Sequence, residues 1–507
     1  MEYILGVDLG TSGTKTVLFD QNGCVIASAS AEYPLYQPQN GWAEQNADDW
    51  WEAAKSTIRS VLEKSGADAQ DIKGLGISGQ MHGLVVVDAD GNSLCPSLIW
   101  CDGRTQKECD EITEKVGAER LIQIAANPAL TGFTAGKVLW VRKHWPETWA
   151  KAKYILLPKD YVRYKLTGVF AQEISDASGT NLLDVGKRCW SEEICRAIDL
   201  PMDMLPPLVE SCERAGYITK EAALLTGLQE GMIVAGGGGD NMCGAVGTGV
   251  VSPGKAFTTI GTSGVVYAHS PVLQIEPKGR VHAFCSCIPG EYVNFACTLS
   301  SGLGLKWFRD QFCQAEIQAA KEMGEDPYTL MNQEAARSPI GANRLFFLPY
   351  LMGERSPLMD NDARGVFFGL NAMHTRRDML RALMEGVIYA LSQNLDTMRE
   401  MGVAPDAMLA CGGGAKSPFW RQMMADVFGL PVKTLKSSEG PALGAAILAG
   451  VAAGLYKDVP SACRELVREN EAILPDADNQ KRYAPYYEFF LSLYPALKDR
   501  FAALAKL

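Results

Sequence analysis

Tyr3-Ile4-Leu5-Gly6-Val7-Asp8-Leu9-Gly10-Thr11-Ser12-Gly13 and Lys255-Ala256-Phe257-Thr258-Thr259-Ile260-Gly261-Thr262-Ser263-Gly264 decide the fold of this chain. Each is an apolar, strand-like run that ends in Gly-Thr-Ser-Gly, and the two lie about half the chain apart. Such a repeat predicts two halves built on one plan, each presenting a tight glycine turn with hydroxyls. Two turns of this kind facing each other across a cleft can hold a polyphosphate from both sides, because exposed turn amides form an anion cradle. Only the first run carries an acid, Asp8. A metal needs a carboxylate on one side only.

Working outward, residues 4–19 read as a hairpin interrupted by the first turn, and residues 24–33 as a third strand. Residues 48–64 form an amphipathic helix with Trp51, Ala54, Ile58 and Leu62 on one face. Residues 72–78 and 84–88 are strands, and the stretch 105–230 is richer in helical patterning. Residues 231–239 make an apolar strand ending in four glycines, followed by a small-residue helix from Asp240. Val251-Ser252-Pro253-Gly254 marks the boundary between domains 1–250 and 251–507. The plan then restarts with strands near 256–268, 281–288 and 291–297 and a helix from Leu303. A helix near 377–400, a strand at 407–412 and an amphipathic helix at 483–507 complete it. Hairpins followed by helices and further strands mean α/β with a mixed sheet.

Composition bounds the function. The chain has 507 residues, 47% hydrophobic and 21% charged, as expected for a globular protein with large cores. A net charge of −11 speaks against a nucleic-acid or anionic-membrane partner. Small anions remain accessible to glycine turns and helix N-termini. The 14 cysteines include no Cys-x-x-Cys, and Cys285-x-Cys287 is too short for usual zinc spacing, so they read as reduced thiols of a cytoplasmic protein. The N-terminus opens directly on a strand, which predicts no signal peptide. The small-apolar run 442–456 is too short and too rich in Gly and Ala for a membrane span.

Several segments carry chemistry. Asp8, where a strand meets a glycine turn, can orient Mg²⁺ mostly through water, or simply bond the turn's own amides. Asp240 follows the glycine run and can act as a general base with Asn241 beside it, or as a helix N-cap; the two roles are compatible. In Gly79-Gln80-Met81-His82-Gly83, the histidine can hydrogen-bond sugar hydroxyls against a methionine wall, or be satisfied by local backbone. Trp100-Cys101-Asp102-Gly103-Arg104 offers a stacking platform with an acid and a guanidinium, or a surface ion pair. Gly412-Gly413-Gly414-Ala415, between a strand and the helix 419–428, suits a nucleotide base and ribose, or is an ordinary turn. Two look-alikes fail on context. Gly74–Gly79 spells a dinucleotide fingerprint but lies within a strand. Residues 249–255 nearly spell a P-loop, but Ala256 replaces the metal-binding hydroxyl and a strand follows.

Taken together, these residues resemble the FGGY family of carbohydrate kinases, essentially from end to end. Residues 132–141 (Gly-Phe-Thr-Ala-Gly-Lys-Val-Leu-Trp-Val) are similar to its first-domain signature. Residues 365–370 (Gly-Val-Phe-Phe-Gly-Leu), followed by Asp378 and Glu385, are similar to the second. Within the family, Met81-His82, where glycerol kinases carry Arg-Glu, is the strongest likeness to the branch acting on D-xylulose. Residues 156–161, 175–180 and 347–351 add to it. Gly136, where many relatives have Pro, and Met242-Cys243, where small residues are common, depart from the pattern.

The resemblance implies a fold and a mechanism. The fold is two similar α/β domains of the sugar-kinase/actin/heat-shock-protein ATPase (ribonuclease H-like) type with a cleft between them: an N-terminal sugar-binding and a C-terminal nucleotide-binding domain. ATP and Mg²⁺ are the implied cosubstrate and metal, and D-xylulose the implied acceptor. Asp240 would be the base and Asp8 the metal tether. Gly10, Thr11, Ser12, Gly13 and Lys15, with Gly261, Thr262 and Ser263, would face the phosphates. Gly412, Gly413, Gly414 and Ala415 would face adenosine. Met81, His82, Asp240 and Asn241 would hold the sugar, with Trp100, Asp102 and Arg104 nearby. A homodimer is common in such families, though no stretch of this sequence locates an interface. The rival expectations are a kinase for ribulose, fuculose or glycerol, and a nucleotide-gated ATPase indifferent to sugars.

Overall fold

A computed structural model of the chain describes residues 2–436 and 439–507. Met1, the first residue of the expected N-terminal domain, lies outside them. Two mixed sheets dominate. The first runs Arg214–Tyr217, Ile233–Ala235, Ile72–Gly79, Tyr3–Leu9, Gly13–Asp20, Val25–Glu32, with Gly238–Gly239 also beside Ile72–Gly79. The second runs His282–Cys285, Tyr292–Thr298, Gly264–Ser270, Lys255–Ile260, Ala407–Gly412, Val432–Lys433. The centre of each is the same: an antiparallel hairpin whose first strand pairs in parallel with a later strand. Even the registers correspond. Leu9 lies opposite Gly79, and Ile260 opposite Gly412, so each Gly-Thr-Ser-Gly turn stands beside the glycine that ends its parallel neighbour.

A helix from the second half closes the first sheet. Gly440–Ala452 packs on Tyr3–Leu9 and Ile72–Gly79. It can do so because Gly6 and Gly76 have no side chains. A Cβ on Gly6 would come 2.0 Å from the Ala442 carbonyl oxygen, and one on Gly76 2.0 Å from that of Ala445. This is why glycines interrupt an otherwise apolar strand and imitate a dinucleotide fingerprint.

The details depart from the sequence reading in instructive places. The helix Ala47–Ser65 buries Trp50, Trp51, Ala54, Thr57, Ile58 and Val61, while Leu62 at the edge of the expected face is only partly buried. The buried stripe is therefore rotated toward Trp50, whose indole nitrogen donates to Gln45 (3.2 Å). The expected strand 84–88 shrinks to Val85–Val87 and pairs with Tyr154–Leu156, outside the main sheet. The run 231–239 splits into Ile233–Ala235 and Gly238–Gly239. The break is Gly237, at φ +78°, where a Cβ would sit 2.1 Å from the Ile77 carbonyl oxygen. The C-terminal helix spans Ala477–Leu504, starting before the expected residue 483. All 14 cysteines are free; most are buried, but Cys24, Cys101 and Cys189 are exposed. Among the described residues, no helix is long and apolar enough to cross a membrane.

Candidate active site

The C-terminal ends of neighbouring strands assemble the first half of the site. Asp8 stands opposite Ser78, and Ser78 opposite Gly238, across three adjacent strands. At about 4.8 Å per strand, Gly238 stands about 10 Å from the Asp8 backbone, and Asp240 follows two residues on. Ser78 Oγ donates to Asp8 Oδ1 (2.9 Å) and fixes its carboxylate. Burial, reinforced by neighbouring Glu439, pushes Asp8 up to about 6 against the opposing pull of Ser78 and Lys15. Asp240 is pushed up to about 7 by burial and then by the charge of Asp8. The two carboxylates resist simultaneous ionisation.

Asp240 is the first residue of the helix Asp240–Gly247, with Gly239 at the cap position and no side-chain cap. The N-cap alternative is thereby corrected. Oδ1 instead accepts from the Asn241 amide (2.7 Å) and from Asn241 Nδ2 (3.0 Å). Asn241 Nδ2 also lies 3.9 Å from Met81 Sδ, so Met81, Asp240 and Asn241 form one wall. His82 follows with a left-handed backbone (φ 68°), and burial holds its imidazole down at about 3. It is therefore neutral. Its Nδ1 lies 2.8 Å from the Gly179 carbonyl, which can only accept, so the proton sits on Nδ1 and Nε2 is left as an acceptor.

The Trp100–Arg104 segment divides. Trp100 is 43% exposed, and its indole nitrogen donates to Thr11 Oγ1 (2.9 Å), linking the platform to the first glycine turn. Asp102 and Arg104 are not free for a sugar. The Arg104 side chain is 1% exposed, pairs with Asp102 (2.7 Å) and Glu44 (2.7 Å), and stacks 3.7 Å above Trp42. Their expected role is corrected to a buried brace: the guanidinium satisfies both carboxylates inside the fold. Lys15 is likewise engaged, 2.5 Å from Glu439 at the start of the helix that closes the first sheet.

Both glycine turns close on themselves. Gly10 N donates to the Gly13 carbonyl (3.0 Å) and Gly261 N to that of Ser263 (3.0 Å). The amides of Gly10 and Gly261 are therefore spent, and only the later turn amides remain candidates for an anion. The second turn is also clamped to the start of the helix Gly302–Phe312, because Gly302 N donates to the Gly261 carbonyl (2.7 Å). A cavity of about 710 Å³ opens here, lined by Gly261, Thr262, Leu303, Gly413, Gly414 and Phe419. A second cavity of about 710 Å³ is lined by Asp240, Asn241, Thr259, Gly412, Ala415 and Pro441. Lys416 lines both, so the 412–416 turn is the ridge between them. The expected adenosine stretch thus splits, with Gly413 and Gly414 on one side and Gly412 and Ala415 on the other.

Two family models match the chain: the FGGY family of carbohydrate kinases, N-terminal domain, over residues 3–247, and the C-terminal domain over 256–453. The chain belongs to the FGGY family of carbohydrate kinases. Among curated relatives, the xylulose kinase of Bacillus subtilis (strain 168) is 40% identical over 504 residues, 99% of each chain. That of Escherichia coli (strain K12) is 39% identical over 494 residues, 97% of this chain and 99% of the relative. The solved xylulose kinase of Rhodospirillum rubrum superposes with a TM-score of 0.90 at 29% identity, covering 99% of this chain and 100% of the other. The chain is a carbohydrate kinase of the two-domain FGGY fold.

The FGGY signatures hold the scaffold in this chain. Lys137 of the first is buried and donates to the carbonyls of His82 (2.9 Å) and Gly132 (2.6 Å), with burial bringing its pKa down to about 7. Asp378 of the second caps its helix and accepts from Ser338 and Asn343, while Glu385 accepts from the Gly341 amide and Arg381. Sequence reasoning missed Ser78, Lys137 and Glu439, which act by holding Asp8, His82 and Lys15. The partners of Ser78 and Glu439 are remote in sequence, and although Lys137 lies in the first signature, its bond to the His82 carbonyl spans 55 residues. Among the described residues, no three His, Cys, Asp or Glu side chains gather as a metal cage. A divalent cation here would rely on one hard carboxylate plus water and phosphate oxygens.

Proposed function

We propose that this kinase transfers the γ-phosphoryl group of ATP to the terminal hydroxyl of D-xylulose, giving D-xylulose 5-phosphate and ADP. The observation that carries the reading is Asp240. It is a partly exposed carboxylate at the end of a glycine run, lining the cleft beside Asn241 and Met81, and raised to about 7. A base poised near neutrality accepts the hydroxyl proton as the oxygen attacks phosphorus. The likeness to xylulose kinases at about 40% identity over nearly the whole chain supports the sugar.

Phosphoryl transfer asks for in-line positioning and charge neutralisation more than covalent help. Mg²⁺, held through Asp8 and water, would supply the neutralisation. The amides that the two glycine turns leave free would orient the phosphate oxygens, and Gly413–Gly414 would lie against the nucleoside. Met81 would provide the apolar wall, Asn241 would hold Asp240, and Nε2 of neutral His82 would accept from a sugar hydroxyl. Trp100, tied to Thr11, would couple sugar occupancy to the first phosphate turn. Water is a competing acceptor, so closure over the sugar with bending near 249–254 would favour the sugar.

The test is ADP release from Mg-ATP with D-xylulose, D-ribulose, L-fuculose, glycerol and no sugar. Strong stimulation by D-xylulose alone is expected, and stimulation by a different sugar would overturn the assigned substrate. Asp240→Ala should lower turnover by about 10²–10⁴-fold with ATP binding retained. Unchanged turnover would remove Asp240 from its role.

A further inference from the structure

The glycine run 236–239 has no side chains to pack, yet it must aim Asp240. Beneath it lies a fully buried ionic cluster that the proposed chemistry does not use. Lys159 Nζ sits 2.8 Å from Asp160, 3.4 Å from Glu173 and 3.5 Å from Asp176, and all four side chains are at most 1% exposed. Arg163 joins through Asp160 (2.8 Å). Such a cluster is costly to bury and is not by itself a source of stability. Its hydrogen bonds, however, converge on the glycine run. Arg163 Nη1 donates to the Gly236 carbonyl (2.9 Å). Glu173 accepts from Ser211 Oγ (2.5 Å), and the Ser211 carbonyl accepts from Gly237 N (3.0 Å). Glu173 also accepts from Ser175 Oγ (2.9 Å), and Ser175 Oγ accepts from Gly239 N (3.3 Å), the amide next to Asp240.

We infer that Glu173 and Ser175 are positioning residues for the reaction: the Lys159-centred cluster orients Glu173, and Glu173 through Ser175 fixes the backbone that aims Asp240. The run is gripped at the Gly236 carbonyl and at the Gly237 and Gly239 amides, so polar anchors replace the packing that its missing side chains cannot give. Ser175 is fully buried between Glu173 and the Gly239 amide, so its effect passes through Asp240. The inference rests on the proposed role of Asp240 as base.

A double-mutant cycle in the full-length protein tests it, with Ser175→Ala and Asp240→Asn made singly and together and sugar-stimulated ADP release as readout. Ser175→Ala should lower kcat by about tenfold with the KM for ATP within about twofold, because small misplacements of a reacting group are expensive. In the Asp240→Asn background, the same change should cost less than about twofold, the non-additivity of residues acting through one group. Equal losses in both backgrounds, or no loss in the first, would overturn the inference and reduce the cluster to a structural role. Asp240→Asn turning over like the unaltered protein would instead remove the base itself. Should Ser175→Ala melt early, Glu173→Gln takes its place in the cycle with the same expectations.

Discussion

Asp240→Asn should make the ligand-free protein more stable at alkaline pH while lowering its turnover by about 10²–10⁴-fold. Asparagine keeps the shape of the side chain and deletes the charge. In the folded protein the Asp240 carboxyl is raised from 3.8 to about 7. When the chain unfolds it returns to the ordinary value, so between about pH 4 and pH 7 the unfolded state has lost a proton that the folded state still holds. Stability contributed by the protonated group is complete below the unfolded value and is lost as pH rises through the folded one. At 1.36 kcal/mol per pK unit, the loss is about 4 kcal/mol at pH 8 and about 2 kcal/mol at pH 5. Partial exposure of the carboxylate screens both values. The asparagine variant should therefore gain about 1–3 kcal/mol over the unaltered protein on going from pH 5 to pH 8. Asp8 adds in the same direction, because it loses a repelling neighbour. Urea denaturation of both proteins at pH 5 and pH 8, followed by tryptophan fluorescence, measures the difference. A gap between the two that does not change with pH would refute the reasoning, since the Asp240 charge would then cost the fold nothing.

Three further outcomes follow from the same geometry. Because Asp240 must be ionised to accept a proton, kcat/KM should fall on the acid side with an apparent pKa near 7. The decline should reach about tenfold per pH unit below it, and a rate flat from pH 8 to pH 5.5 would contradict the assignment. Gly76→Ala drives a Cβ to 2.0 Å from the Ala445 carbonyl and should cost about 1–3 kcal/mol or more of stability. Gly244→Ala, which meets nothing within 4 Å, should melt like the unaltered protein and serves as its control. Small-angle scattering with D-xylulose and a non-hydrolysable ATP analogue should show a smaller radius of gyration than the ligand-free protein; an unchanged radius would count against closure.

The duplicated plan was legible because it is written in local pattern: an apolar alternating run, then Gly-Thr-Ser-Gly, twice. The placement of Asp240 beside the first turn was legible only in outline, since it depends on Gly238–Gly239 pairing with Ile72–Gly79, a contact remote in sequence. What misled was side-chain direction. Asp102 and Arg104 have the composition of a sugar platform, but Glu44 and Trp42, from another part of the chain, turn the guanidinium inward. Period alone puts Leu62 on the buried face, whereas the hydrogen bond from Trp50 to Gln45 shows which way that face turns. Glycines were ambiguous for one reason: a missing Cβ serves equally a phosphate, a turn or a helix. Gly6 and Gly76 admit a helix, Gly237 a left-handed turn, and neither use can be separated from ligand binding in sequence.

The two halves share a plan, and the way they pack on each other bears on how the site works. The helix Gly440–Ala452, from the second half, is pressed onto the first sheet through side-chain-free glycines. The residue before it, Glu439, is the partner of Lys15, so the second half is fastened to the strand that follows the Asp8 turn. The helix Asp240–Gly247, from the first half, packs closely on that helix and shares a buried apolar cluster with Phe257, Tyr267 and Leu409 of the second sheet. Between its Gly244 and Thr248 and the strands bearing Thr259 and Gly412 lies the cavity of about 710 Å³. That cavity is the space into which the second sheet could approach the helix that begins with Asp240. Motion into it would carry the second glycine turn toward Asp240 while Asp8, Ser78 and the glycine run, joined in one sheet, stay fixed relative to one another. Under the proposed roles, Asp240 and Asp8 would then be preorganised on one sheet, and the second glycine turn would arrive from the other half. In that division of labour only one of the two repeated turns needs an acid before it.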